Sequence, residues 1–236
     1  MIIAANFKTN HTRQSTNNYF EVLDTFMKNE KIEDEAILFP TSTSLQYGKK
    51  RFIQGVQNAY PVQNGSFTGE IGVDQLAEFE IDTVLIGHSE RRHILHESDE
   101  LIKQKFNFFA KAGFRIIYCI GESLSTREEG EDSVMDYLAT QLEGIDTSYE
   151  NLVVAYEPVW AIGTGKTATI TDIEHVHESL KERYPLKHLL YGGSVKVENA
   201  AEILMANEVD GLLIGTTSWD ADKFKEILSI SKNLKK

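Results

Sequence analysis

Eight short apolar runs, at residues 2–5, 36–39, 52–56, 83–86, 115–120, 152–156, 189–191 and 211–214, set the strongest limit on how this chain folds. They are continuous rather than alternating, the pattern of parallel strands covered on both faces. Between most of them lie amphipathic stretches with a helical period. In 101–109 the apolar residues Leu101, Ile102, Phe106, Phe108 and Phe109 share one face, leaving Lys103 and Lys105 for the other. Residues 17–27, 134–142, 173–184, 200–205 and 224–234 read the same way. The gap between Phe39 and Phe52 is shorter and makes the poorest case for a helix. Eight strand-helix repeats predict a parallel β/α architecture, and the count of eight favours a closed barrel over an open sheet. Periodicity alone does not decide closure.

The 236 residues contain only four prolines, and no linker, charge block or low-complexity tract interrupts them, so residues 1–236 read as one domain. Net charge is −12, which argues against nucleic acid or an anionic membrane as partner. A small anionic ligand is compatible with it, because screening over about 8 Å lets local donors outvote a remote surface. The apolar start ends after five residues and has no basic region before it, which predicts a buried strand rather than a signal peptide. No stretch approaches the ~18 apolar residues of a membrane span. Cys119 is the only cysteine, so no intrachain disulfide forms and a reducing, cytoplasmic setting is expected.

In a parallel β/α fold, functional groups gather beyond the C-terminal ends of strands. Those positions hold Asn6 and Lys8, then Gly87, His88, Ser89 and Glu90, then Gly121 and Glu122, then Glu157. The last two strands are followed by Gly192, Gly193 and Ser194, and by Gly215, Thr216 and Thr217. Each alone has a bland reading: Glu157 as a solvated strand-end carboxylate, His88 as a turn residue, Lys8 as a surface lysine, the glycines as turn formers. On one rim together they are the parts of a proton-transfer site for a phosphorylated substrate. The run Gly163-Thr164-Gly165-Lys166-Thr167 fails as a P-loop, because Trp160 stands where the first glycine is required, and it reads instead as the end of a lid. No dinucleotide fingerprint follows any strand. His93, His96 and Glu97 lack zinc spacing, and His175 and His177 point to different faces of one helix, so no metal is expected. Cys119 and the Phe106, Phe108, Phe109 group read as core.

The segments Asn6-Phe7-Lys8, Ile86-Gly87-His88-Ser89-Glu90-Arg91-Arg92, Cys119-Ile120-Gly121-Glu122, the long motif from Ala155 through Tyr156-Glu157-Pro158-Val159-Trp160 to Lys166, and Tyr191-Gly192-Gly193-Ser194-Val195 resemble the triosephosphate isomerase family, in family order and over essentially the whole chain. The resemblance implies a single-domain (β/α)8 TIM barrel with eight parallel strands. It implies interconversion of dihydroxyacetone phosphate and D-glyceraldehyde 3-phosphate in glycolysis and gluconeogenesis, without cofactor or metal. By motif position it makes Glu157 the base and His88 the electrophile, with Lys8 also catalytic. Asn6 and Lys8 bind substrate, while Gly163, Ser194, Gly215 and Thr216 supply phosphate-facing N–H groups. Glu90 becomes the acidic partner of the lysine, Cys119 a supporting residue, and 158–166 a lid. Three departures stand out: Phe7 and Thr9 replace the usual tryptophan and methionine, Thr216 replaces a glycine, and the chain is shorter than is typical.

Such a reaction removes a proton beside a carbonyl and returns it to the neighbouring carbon, so one base serves both steps. A carboxylate suits the task when apolar neighbours keep it dry, and Leu213, Ile214 and Ile162 are available. The alternatives are another phosphate-binding barrel enzyme, which would lack the combined Lys8, His88 and Glu157 set, and a catalytically inactive barrel serving as a binding protein. Residues 64–70 carry Phe67 between Gly65 and Gly69 and look too apolar for a free tip. They read either as a turn folded back on its own barrel or, through the resemblance, as a loop inserted into a neighbouring subunit of a homodimer, with Thr68 near Lys8 and His88.

Overall fold

A computed structural model describes residues 1–162 and 167–234. The eight runs become eight strands: β1 (Ile2–Asn6), β2 (Glu35–Phe39), β3 (Ile53–Gln54), β4 (Thr83–Ile86), β5 (Arg115–Ile120), β6 (Leu152–Tyr156), β7 (Leu189–Tyr191) and β8 (Gly211–Ile214). All neighbours pair in parallel, in the order β3-β2-β1-β8-β7-β6-β5-β4. Closure falls to β3, which with two residues of ladder is the shortest strand. Beyond them Gly55 N–H donates to Leu38 O and Val56 N–H to Thr83 O, while Leu85 N–H returns to Val56 O, so one bridge at Val56 joins β3 to β4 and shuts the barrel.

Nine α-helices cover the barrel among the described residues: α1 (Arg13–Glu30), α2 (Val73–Ala77), α3 (Ser89–His93), α4 (Asp99–Lys111), α5 (Leu124–Glu128), α6 (Glu131–Leu142), α7 (Ile170–Arg183), α8 (Val197–Met205) and α9 (Ala221–Asn233). Between β2 and β3 there is only a single 3-10 turn, Ser42–Ser44, in the gap that made the poorest case for a helix. One lysine also departs from expectation. Lys105 is buried rather than solvated, because its ammonium reaches Glu97 and Asn58.

Strand geometry divides the core into two layers. Successive side chains point to opposite faces, so Ala4, Ile37, Leu85, Ile117, Cys119, Val153, Ala155, Leu190 and Leu213 fill the barrel, while Ile3, Ala5, Val84, Ile116, Tyr118, Val154, Tyr156, Leu212 and Ile214 meet the helices. This is why the strands read as unbroken apolar runs. Continuing the same alternation one step past the interior layer gives Asn6, Gly87, Gly121, Glu157, Gly192 and Gly215. Two polar side chains and four glycines therefore form the top of the barrel, and the missing side chains leave a hollow there.

Candidate active site

The hollow is a cavity of about 200 Å³ at the C-terminal ends of the strands. Asn6, Lys8, His88, Glu157, Ser194, Gly215 and Thr216 all line it, with Ile162 and Leu213 as apolar wall. Seven residues from five loops thus meet where the strand-end rule placed them. Ile214 does not join the wall. It faces the helices, because it alternates with Leu213 on one strand. Gly163 and residues 164–166 of the expected lid lie outside the described residues. Thr68 sits away from this cavity on an exposed loop.

Glu157 is buried, with its carboxylate held from two sides. Oε2 accepts the Ser89 N–H at 3.0 Å, and Oε1 lies 3.2 Å from His88 Nε2. Small neighbours admit it: a Cβ on Gly192 would stand 2.8 Å from Glu157 Cγ, and one on Gly121 would stand 1.8 Å from Glu157 O. Cys119 lies in the barrel interior below, where burial pushes the thiol well up and the nearby Glu157 carboxylate adds to the shift.

His88 caps α3, and its Nδ1 accepts the Glu90 N–H at 3.2 Å. An acceptor nitrogen carries no proton, so in the neutral ring the proton sits on Nε2, facing Glu157 and the cavity. Gly87 makes the turn before it at φ 74°, the left-handed region that favours glycine. A Cβ there would lie 2.8 Å from Arg92 Nη2.

Lys8 also has positive φ, 50°, without being a glycine. Its N–H donates to Asn6 Oδ1 at 3.0 Å, its carbonyl accepts from Gln57 Nε2 at 2.8 Å, and its ammonium bonds Glu90 Oε1 at 2.8 Å. Asn6 is thus partly spent on shaping the loop that aims the lysine. Thr216 opens a 3-10 turn, Thr216–Trp219, behind Gly215.

Two holding residues escaped the sequence reading. Gln57 follows β3 and bridges the Lys8 and Phe39 carbonyls, and reading the end of the third strand with the others finds it. Arg92 donates from Nε to Gly87 O and from Nη2 to Cys119 O, which ties the His88 turn to β5. Glu122, also read from the strand ends, accepts from Trp160 Nε1 at 2.8 Å and Tyr156 OH at 3.1 Å, and burial pushes its carboxyl up. Among the described residues no cluster of three or more His, Cys, Asp or Glu side chains could hold a metal ion. The arrangement offers a buried carboxylate, a neutral N–H donor and a cation around one small space, the requirements for moving a proton beside a carbonyl.

Residues 1–231 match the family model described as triosephosphate isomerase. Curated relatives carry the same name. The chain is 48% identical over 236 residues to the protein of Sulfurimonas denitrificans, covering all of this chain and 98% of that one. It is 51% identical over 228 residues to that of Sulfurovum sp., covering 97% and 99%, and 51% identical over 235 residues to that of Nitratiruptor sp., covering both chains in full.

Proposed function

Because the chain belongs to the triosephosphate isomerase family, we propose that the cavity at the barrel mouth is its isomerase site, with Glu157 as base and His88 and Lys8 as the groups that stabilise the intermediate. The reaction interconverts dihydroxyacetone phosphate and D-glyceraldehyde 3-phosphate, a step of glycolysis. Glu157 takes a proton from the carbon beside the carbonyl, and the electron pair moves to give an enediolate. The same carboxyl then returns the proton to the neighbouring carbon. Charge that builds on the two oxygens meets the His88 Nε2–H and the Lys8 ammonium, donors already aimed before the charge appears. Asn6 positions Lys8 and contacts substrate. Backbone N–H groups of Ser194, Gly215 and Thr216, with Gly163 from outside the described residues, receive the phosphate, as loop and helix-start amides do without a dedicated arginine.

The observation that carries this reading is the 3.2 Å approach of His88 Nε2 to Glu157 Oε1 inside a cavity that Lys8 also lines. No metal or cofactor enters it. The inactive-barrel alternative would not need all three groups converging. A coupled assay decides: glyceraldehyde 3-phosphate with glycerol phosphate dehydrogenase should consume NADH, and consumption no faster than the blank refutes the reading.

The same reading takes residues 1–236 as one domain, acting in the cytoplasm as a homodimer. A cytoplasmic setting is supported by the lone Cys119, buried and unpaired, and by the glycolytic reaction. Support for the dimer is an apolar face beside the site: Ile94 and Leu95 are 67% and 59% exposed, and they flank a second cavity shared with Lys8, Gln57, Glu90 and Trp219.

A further inference from the structure

The loop after β1 is bent at two places by non-glycine residues in the left-handed region, Lys8 at φ 50° and His11 at φ 68°. Such bends persist only where the surroundings enforce them. At Lys8 the enforcement comes from Asn6 and Gln57, on the site side. At His11 it comes from the loop after β8. His11 Nε2 lies 2.9 Å from the Trp219 carbonyl oxygen, which can only accept, so Nε2 carries the proton, and Nδ1 lies 3.2 Å from Ser15 Oγ.

Trp219 returns the bond, its Nε1–H donating to the Asn6 carbonyl at 3.2 Å. That carbonyl shares a peptide with the Phe7 N–H, which goes to Phe39 O on β2. It therefore points the other way, toward β8, just past the last ladder pair Ala5 with Ile214. There β8 has turned off at Gly215, with ψ −112°, and the indole replaces a backbone donor. Phe7 and Tyr19 pack on the His11 ring at 4.7 and 5.7 Å, and Tyr19 OH donates to Ser218 O at 2.8 Å. The two loops also meet at the cavity, since a Cβ on Gly215 would lie 3.3 Å from Lys8 Cε.

We propose that His11 and Trp219 are positioning residues of the isomerisation, a reciprocal clamp that fixes the loop of Lys8 against the loop of Gly215 and Thr216. The clamp rests on the roles assigned to those three residues above. A ligand with one end on Lys8 and its phosphate on Gly215 and Thr216 spans both loops, so their relative placement enters its binding. Inorganic phosphate bound there does not reach the Lys8 loop and is indifferent to that placement.

The test compares His11→Ala, Trp219→Phe, their double variant and His11→Gln with the unaltered chain, each shown to be folded by circular dichroism. Trp219→Phe removes the N–H and leaves a smaller aromatic ring in its place, so it reports even where His11→Ala disturbs folding. Each single variant should lose about tenfold in kcat/KM and about tenfold in affinity for 2-phosphoglycolate, an enediolate mimic, the size expected for one net hydrogen bond in a buried array. Inhibition by inorganic phosphate should stay within about twofold, and the double variant should be no worse than either single, because one clamp breaks only once. His11→Gln, which restores an N–H to Trp219 O, should recover most of the loss. Multiplicative losses in the double variant, a fall in phosphate inhibition that parallels 2-phosphoglycolate, or kcat/KM near that of the unaltered chain in the single variants would each overturn the clamp. Failure of the unaltered chain to bind 2-phosphoglycolate overturns the site assignment itself, and the clamp with it, before any substitution is made.

Discussion

Glu157 reaches His88 and the Ser89 N–H through a side chain one methylene longer than that of aspartate, and the surrounding glycines leave it space without slack. Glu157→Asp retracts the carboxylate by about 1 Å, a misplacement that can cost on the order of 100-fold in rate. Steady-state kinetics should show kcat falling by about that factor with folding intact, and an unchanged kcat removes Glu157 from the role of base. A second residue ties stability to pH. His177 on α7 is fully buried, with Nδ1 3.0 Å from Glu208 O, Nε2 without a hydrogen-bond partner among the described residues, and the Tyr156 ring 5.9 Å away. Burial pulls its imidazole down to about 4, and the Lys181 ammonium pulls the same way, while Glu208 and Asp210 oppose them. The unfolded chain, near the ordinary value of about 6.5, then binds more protons than the folded one between those values, so stability is full above about pH 6.5 and declines as pH falls toward 4. His177 alone accounts for about 2 kcal/mol between pH 7.5 and pH 5 on these values. Urea unfolding at the two pH values should show His177→Gln losing less stability than the unaltered chain, and equal losses would show that the buried ring does not titrate there.

At the scale of elements, the sequence was readable where a periodicity existed. β4 to β8 begin and end where the apolar runs do, because residues on both faces of those strands are buried. Helix starts were later than they should be. α1 begins at Arg13 under a Thr12 cap and α7 at Ile170 under a Thr169 cap, and such first turns are too polar for an apolar period to register. The site divides in the same way. Groups that face the cavity stand at strand ends and were legible there, whereas Arg92, His11 and Trp219 act by bonding backbone carbonyls far off in the sequence, on β5, on the loop after β8 and at the end of β1, which no local pattern announces. The strand tops make a prediction of their own. β5 and β6 approach so closely that Gly121 N–H and carbonyl are taken by the Gln141 amide while its Cα faces Glu157 O. Gly121→Ala must separate the strand tops, at a cost of about 1–3 kcal/mol for such overpacking. Because Glu157 rides on the displaced segment, kcat should fall along with a Tm lowered by several degrees. A variant destabilised but with normal kcat would show that the carboxylate is held by His88 and Ser89 rather than by its strand.

For the whole molecule, net charge −12 sets a condition on the proposed homodimer: two such chains repel unless the contact is poor in charge and rich in apolar surface. The face beside the site supplies the apolar part of such a contact. Ile94 and Leu95 stand out at the end of α3, and Phe67, 42% exposed, lies on the loop before α2 with its ring 4.6 Å from Tyr60. That loop folds back on itself, with Tyr60 N–H donating to Ile71 O, and its base is stiff because Gln63 and Asn64 both donate to the Asp74 carboxylate, holding it below its ordinary range. Folding back leaves the tip presented rather than buried, and Thr68 is exposed there. A twofold axis would place each tip against the partner's cavity of Lys8, Gln57 and Glu90, so that the contact is reciprocal and each site is braced by the other chain. Thr68→Arg brings a guanidinium beside the lysine of that rim, where a like charge costs association. Sedimentation should show the unaltered chain as a dimer and the Thr68→Arg chain shifted toward monomer, with kcat falling in step with dissociation. A Thr68→Arg dimer with normal kcat, or a fully active monomer, would show that the loop does not brace the site.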